Sequence, residues 1–287
     1  MDTNMDQIPS TPIQKLKKYV LEIYPNISEE LLAVLASDPR KSARHIAKLV
    51  LDRRMMDLRE QRRLEEMLHY EKELYGKGYH LIAGVDEAGV APLAGPVVAA
   101  AVILPQNYVL DGLNDSKKIL DRIKREKLAQ QIKRDSICWA TGSADVEEID
   151  RLNVYRASLL AMTRALEGLS KNPEYILVDA RTVPHCSVPQ KSITHGDALS
   201  ASIAAASLIA KTTRDTHMIA MDTIYSGYGF SSHKGYPTQK HLEALKRLGP
   251  LPIHRKSFAP VRKIIQTDPL QQSLFPNSST VFRPGRP

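Results

Sequence analysis

The sequence predicts an α/β protein, a mixed sheet with helices packed on it, preceded by a helical N-terminal extension. Three observations carry this expectation. Residues 13–75 show helical spacing of apolar residues and no strand-like run. Beyond Gly76 the texture changes to short β-like runs interleaved with helical segments. The alternation is too irregular for a TIM barrel, and no GxGxxG or Walker loop follows a strand.

The elements follow in order. Residues 1–12 are polar and are expected to be disordered, and residues 13–75 form the helical extension. Within it, Asp38-Pro39 reads as a helix start, with proline at the first helical position. LIAGVD and PVVAAAVIL are β-like runs separated by a Gly- and Pro-rich turn, and SICWATGSA offers a third strand. Asp145 with Glu148 forms a capping box that opens a helix running through LNVYRASLLAMTRALEGL. YILVDA is a buried strand ending on an acid, followed by a short strand-like KSIT. One long helical segment, rich in small residues, is expected from HGDALSAS to MDTIY. A loop, a short helix QKHLEALKRLG and a packed IHRKSFAPVRKII complete a domain over 76–267. Residues 268–287 read as a flexible tail with little to bury.

Forty Lys and Arg against thirty-two Asp and Glu leave a formal charge of +8, which points to a polyanionic partner, nucleic acid ahead of membrane. Nine basic and three acidic residues between Arg40 and Arg63 form either a solvated helix face or an arm for a phosphate backbone. Cys138 and Cys186 show no metal-binding spacing and read as reduced thiols. With no signal-peptide pattern and no apolar run long enough to span a bilayer, a cytoplasmic protein is expected, without a membrane partner.

Asp86 and Glu87 close one strand, Asp179 closes another, and Asp197 opens the long helical segment. Ligand sites in α/β sheets gather at such strand ends and helix starts. Four carboxylates there suit hard divalent cations, and a pair of ions suits phosphodiester chemistry. Bland roles remain open: Asp179 can cap the next segment, and Asp197 can be an N-cap. Adjacent strand residues face opposite ways, so Asp86 and Glu87 share a site only if the strand ends or bulges there.

The ordered motifs GVDEAG…PLAGPVVAAAVIL, LNDSKK, ILVDA, GDA…S.IAAASLIAK.TRD, GYGF…HKGYPT..H and IHRKSF.P resemble those of bacterial ribonuclease HII, the type 2 ribonuclease H family. The likeness spans roughly residues 79–265. It implies a ribonuclease H-like fold whose sheet begins with three antiparallel strands. It also implies Mg²⁺- or Mn²⁺-dependent cleavage of the RNA strand of RNA–DNA hybrids and of ribonucleotides embedded in duplex DNA, by a monomer using two ions. The products would carry 3′-hydroxyl and 5′-phosphate ends. Motif by motif, the resemblance makes Asp86, Glu87, Asp179 and Asp197 the metal-binding and catalytic acids, and leaves Asp215 structural. Tyr236 matches a tyrosine that stacks near the sugar at an RNA–DNA junction, while Tyr228 reads as structural. Asn114, Ser116, Lys117 and Lys211 suit phosphate contacts, which set position rather than sequence; Lys118 fits a solvated basic loop. His254, Arg255, Ser257 and Phe258 mix packing with backbone contact.

One loop departs from the family text. DEAGRGP is expected and DEAGVAP stands here, so Gly89, Val90 and Ala91 occupy the Gly-Arg-Gly positions that hold the junction ribonucleotide. Val90 brings no charged donor and Ala91 adds a methyl group, so weakened junction recognition is expected. Compensation by the basic N-terminal helices, or poor activity, are the other readings, and a catalytically weak hybrid-binding module is the alternative from another class. In the tail, Gln271, Leu274 and Phe275 lie in a QQSLF segment that resembles the bacterial sliding-clamp-binding pentapeptide.

Overall fold

A computed structural model of the chain describes residue 8 and residues 10–267. It divides into two compact units, one ending at Glu65 and one beginning at Glu66. The first holds α1 (Ile13–Ile23), α2 (Glu29–Ser37) and nearly all of α3 (Lys41–Glu66). Its core joins Leu16, Val20, Leu31, Leu35, Ile46 and Val50, the apolar faces of three amphipathic helices. Ile8 is fully buried in that core, and Arg40 donates to the Ile8 and Thr11 carbonyls, so the described part of the N-terminal stretch is packed. Ser28 caps α2. Asp38 accepts from the Arg40 backbone N–H just ahead of α3, which begins two residues later than the Asp38-Pro39 signal suggests.

The second unit opens with α4 (His69–Gly76) and is built on a five-stranded sheet in the order β3-β2-β1-β4-β5. β1 (Ile82–Ala88), β2 (Val97–Ile103) and β3 (Cys138–Ala144) are antiparallel, whereas β4 (Tyr175–Asp179) and β5 (Gln190–Ile193) run parallel to β1. This is the mixed, ribonuclease H-like arrangement that the motifs imply. Every residue of β2 is buried, because both sheet faces are covered. On one face, Ala83, Val85, Ala99 and Ala101 pack against Ala157, Ala161 and Met162 of α7 (Val154–Glu167). On the other lies α9 (Ala201–Ile224), so close to β1 that a Cβ on Gly84 would stand 2.0 Å from the Ser202 carbonyl carbon. The small-residue face of α9 is what lets it sit against the strand.

In the second unit, too, the structure differs from the sequence expectation. The capping box at Asp145 is present, but the helix after it breaks into α6 (Val146–Leu152) and α7 at Asn153, whose φ of 69° ends one helix while its side chain caps the next. The long helical segment is likewise divided into α8 (Gly196–Leu199) and α9 at an extended Ser200. Finally, α5 (Arg122–Asp135) has no counterpart in the sequence reading. Its polar surface hides a thin buried stripe of Leu128, Ala129 and Ile132, although the Asp121 cap was a readable signal. Short α10 (Phe230–His233), α11 (Gln239–Leu248) and α12 (Ala259–Thr267) complete the unit. Among the described residues no helix is long and apolar enough to cross a membrane.

Candidate active site

The sheet brings the four acids to one end of its central strands. β1 pairs with β4 only as far as Val85↔Val178, so Asp86 and Glu87 extend past the last parallel pair, beside Asp179 at the end of β4. The expectation that β1 ends or bulges at the acid pair is not met. Antiparallel pairing runs unbroken through Asp86↔Ala100 and Glu87↔Ala99 to Ala88. Alternation places Asp86 on the Gly84 face, against α9, where Ser207 hydrogen-bonds to it. Glu87 emerges on the opposite face, and both nonetheless feel the negative charge of Asp179.

Local backbone geometry delivers the other two acids. Ala180 (φ 47°) directly follows Asp179, and His195 (φ 58°) stands two residues before Asp197. Left-handed conformations at non-glycine residues cost about 1–3 kcal/mol each and cluster where function requires them. Asp179 Oδ1 accepts from the Gly196 N–H at 2.7 Å, joining β4 to the α8 turn that carries Asp197. Asp179 therefore caps that turn, while His195, not Asp197, is the N-cap residue of α8.

The electrostatics is that of a cation site. Burial, then Glu87 and Asp179, push the Asp86 carboxyl well above the usual carboxylate range. Burial also raises Glu87 against the pull of Arg181, and raises Asp197 against the pull of Lys117. Lys117 is itself raised: burial would lower it, but Asp197, Asp115 and Asp86 outweigh that. Arg181 donates to Glu87 Oε1 at 3.0 and 3.1 Å, and Lys117 Nζ lies 3.3 Å from Asp197 Oδ2. Glu87 Oε2 is buried without a hydrogen-bond partner. An orphaned carboxylate oxygen among acids that resist ionisation is a donor set short of positive charge, and hard divalent ions fit it. In this set of rotamers no three His, Cys, Asp or Glu side chains among the described residues form a ready metal-holding group. Lys117 and Arg181 occupy two of the acids instead.

Around the acids stand the other expected residues. Gly89 has φ 98°, and a Cβ there would meet Arg214 Nε at 2.1 Å. Val90 and Ala91 are not among the positive-φ residues, so neither strains the loop. Beneath it lie two fully buried arginines. Arg255 donates to the Gly89, Val90 and Gly95 carbonyls, and Arg214 to those of Ala94, Pro96 and Lys234. Arg214 thereby ties this loop to the one bearing Tyr236, which is 36% exposed, enough for a ring face to meet a ligand. Lys211 Nζ is 5.6 Å from the Tyr236 ring centroid and also pairs with Asp215 at 2.8 Å. Asp215 also lies 3.8 Å from Arg125, in agreement with a structural role.

Two expected phosphate contacts are otherwise engaged. Ser116 is buried with its hydroxyl 2.9 Å from Ser207 Oγ, so it backs the Asp86 partner rather than facing outward. The Asn114 side chain accepts from the Asp115 N–H. Gln271, Leu274 and Phe275 lie outside the described residues. Nothing in the sequence marks Arg181 or Ser207, since an arginine after a strand and a serine in a small-residue helix carry no signal of their own.

Comparison with known proteins decides the family. A family model described as ribonuclease HII matches residues 83–261, and one described as ribonuclease HII N-terminal domain matches residues 12–75. The chain belongs to the ribonuclease HII family. It is 55% identical over 267 residues to ribonuclease HII of Myxococcus xanthus, covering 91% of each chain. It is 53% identical over 274 residues to that of Anaeromyxobacter sp., covering 95% of this chain and 87% of the relative. The crystal structure of ribonuclease H2 from Pyrococcus horikoshii superposes with a TM-score of 0.56 at 26% identity, over 65% of this chain and 97% of that one. The acid cluster, the Gly89–Ala91 loop and Tyr236 all lie within the matched residues 83–261. The family's N-terminal match runs on to residue 75, through α4, which packs inside the second unit.

Proposed function

We propose that the chain is a metal-dependent endoribonuclease that hydrolyses the RNA strand of RNA–DNA hybrids and ribonucleotides embedded in duplex DNA, leaving 3′-hydroxyl and 5′-phosphate ends. Family membership supports the activity, and one structural observation supports the site: the buried acids beside an unpartnered Glu87 oxygen. Asp86, Glu87, Asp179 and Asp197 would hold two Mg²⁺ or Mn²⁺ ions. Bound there, the ions supply a nucleophilic water at neutral pH and charge to offset the leaving 3′-oxygen. Asp86 is held by Ser207 and by the Glu87 N–H, which donates to its Oδ1 at 2.7 Å, so its carboxylate is fixed in direction. Lys117 offsets the charge of Asp197 and Arg181 that of Glu87, and both side chains would give way to bound ions. Tyr236 offers a flat surface to a sugar or base, backed by the Lys211 and Arg214 cations. The Gly89–Ala91 loop addresses the 2′-hydroxyl, the group that tells RNA from DNA, through backbone groups alone. The protein acts as a cytoplasmic monomer, and its Gln271–Phe275 segment docks on the sliding clamp.

A labelled hybrid incubated with Mg²⁺ or Mn²⁺, beside the Asp86→Asn variant, tests the activity. A metal-dependent cut that Asp86→Asn abolishes is expected; a cut that survives the substitution overturns the site. Deleting the residues after Asp268 should abolish clamp binding and spare cleavage of short substrates. Clamp binding that persists would exclude the tail segment.

A further inference from the structure

The start of α9 is capped by a segment outside the acid cluster. Glu71 of α4 is 1% exposed. Its Oε1 accepts from the Ser200 hydroxyl at 2.6 Å and from the Ser202 N–H at 3.0 Å. Ala201 N–H donates to the Met67 carbonyl at 2.9 Å, and Ile203 N–H donates to Ser200 Oγ at 3.3 Å. The first two N–H groups of α9, left orphaned by helix geometry, are thus satisfied by α4 and its preceding turn, and the third by the Ser200 side chain. The sequence of residues 196–224 favours one unbroken helix, and the break at Ser200 is where the fold overrides it. That break sets the direction in which the α8 turn presents Asp197.

We infer that Glu71 is a positioning residue for the acid site, enforcing the helix break at Ser200 that aims Asp197. This rests on the reading of Asp197 as a metal-binding acid. Burial raises the Glu71 carboxyl, and its Oε2 has no partner, so the group is retained at a cost to stability. Without it, the Ser200 hydroxyl and the Ser202 N–H lose their acceptor in a dry site, and α8 is free to run on into α9. Gly84 of β1 packs against the Ser202 and Ile203 backbone of the first turn of α9, so that turn has no room to move towards the sheet. Release therefore swings Asp197 away rather than tightening it.

The test is Mn²⁺ affinity of the full chain without substrate, read from the paramagnetic signal of free Mn²⁺. Glu71→Ala should weaken binding by about 10-fold, the low end of the loss on removing a direct outer partner of a metal ligand, since Glu71 acts on Asp197 only through Ser200. Glu71→Gln keeps an acceptor oxygen and should recover most of the affinity. Met162→Ala, a core truncation against the far sheet face, should leave it unchanged although it destabilises the fold. Unchanged affinity in Glu71→Ala, or equal loss in Glu71→Gln, overturns the inference. Should Glu71→Ala fail to fold, Ser200→Ala removes the bridging hydroxyl alone: weaker Mn²⁺ binding supports the role and wild-type binding refutes it. Wild-type Mn²⁺ affinity in Asp197→Asn would sink the reading of the acid itself, a distinct failure.

Discussion

Replacing Gly84 with alanine should damage catalysis more than its single methyl group suggests. The new Cβ would lie 2.0 Å from the Ser202 carbonyl carbon and 2.2 Å from its oxygen, where ordinary contact begins at 3.4 Å. Both obstructing atoms are backbone, so no rotamer change relieves the clash, and β1 must part from α9 by about 1.4 Å. Overpacking of this kind costs about 1–3 kcal/mol, and a rigid neighbour places it near the upper end. For a unit of this size that is a fall in Tm of roughly 6–12 °C. The functional effect comes from location. Asp86 lies two residues along the same strand face, and Asp197 precedes the displaced helix, so the separation opens between two of the four acids. A displacement of about 1 Å at a reacting centre costs on the order of 10²-fold in rate. Thermal unfolding, with kcat on a labelled hybrid measured well below the lowered Tm at saturating Mg²⁺, checks both effects. Wild-type kcat in a folded Gly84→Ala variant would refute the claim that this contact sets the spacing of the acids.

Other expectations follow from the same site. Mn²⁺ at 100 times its Kd should stabilise the wild-type chain by about 2.7 kcal/mol for each ion bound and Asp86→Asn far less, measured by thermal shift. Because the Asp86 carboxyl is raised above its unfolded value, its contribution to stability is present below about pH 4 and lost as pH rises through the folded pKa. Asp86→Asn should therefore raise the metal-free Tm at neutral pH while abolishing cleavage; a lower Tm would contradict the electrostatic account. Burial holds His254 down to about 3 and His241 to about 4, against 6.5 when unfolded. Stability should accordingly be full above pH 6.5 and fall between about pH 6.5 and 3, and His254→Gln should flatten that limb in pH-dependent unfolding. Val90→Arg with Ala91→Gly should raise cleavage of single embedded ribonucleotides relative to long hybrids. An unchanged ratio would remove this loop as the junction reader.

The strands were legible because β-branched and small apolar runs ended on turn chemistry, and Asp145 with Glu148 announced where α6 begins. Asp86, Glu87 and Asp179 stood out as charges at the ends of apolar runs, and Asp197 as an acid at the start of a helical segment. The breaks at Asn153 and Ser200 were not, since each depends on partners distant in sequence: Ser200 needs Glu71, 129 residues away. Arg214 and Arg255 were equally silent about their depth. A buried arginine satisfied by backbone carbonyls leaves no acidic partner in the sequence to betray it. Ser116 reversed its expected direction because a serine beside lysines reads as a surface contact, whereas the fold turns it towards Ser207.

The central claim is that Asp86, Glu87, Asp179 and Asp197 hold two ions at the scissile phosphate. Anomalous diffraction at the manganese edge, from crystals of the chain with a hybrid whose scissile phosphate resists cleavage, tests it most directly. The account predicts two Mn²⁺ peaks bridging these four carboxylates and the phosphate, with Lys117 and Arg181 displaced from Asp197 and Glu87. Peaks elsewhere, or none beside the four acids, would contradict it.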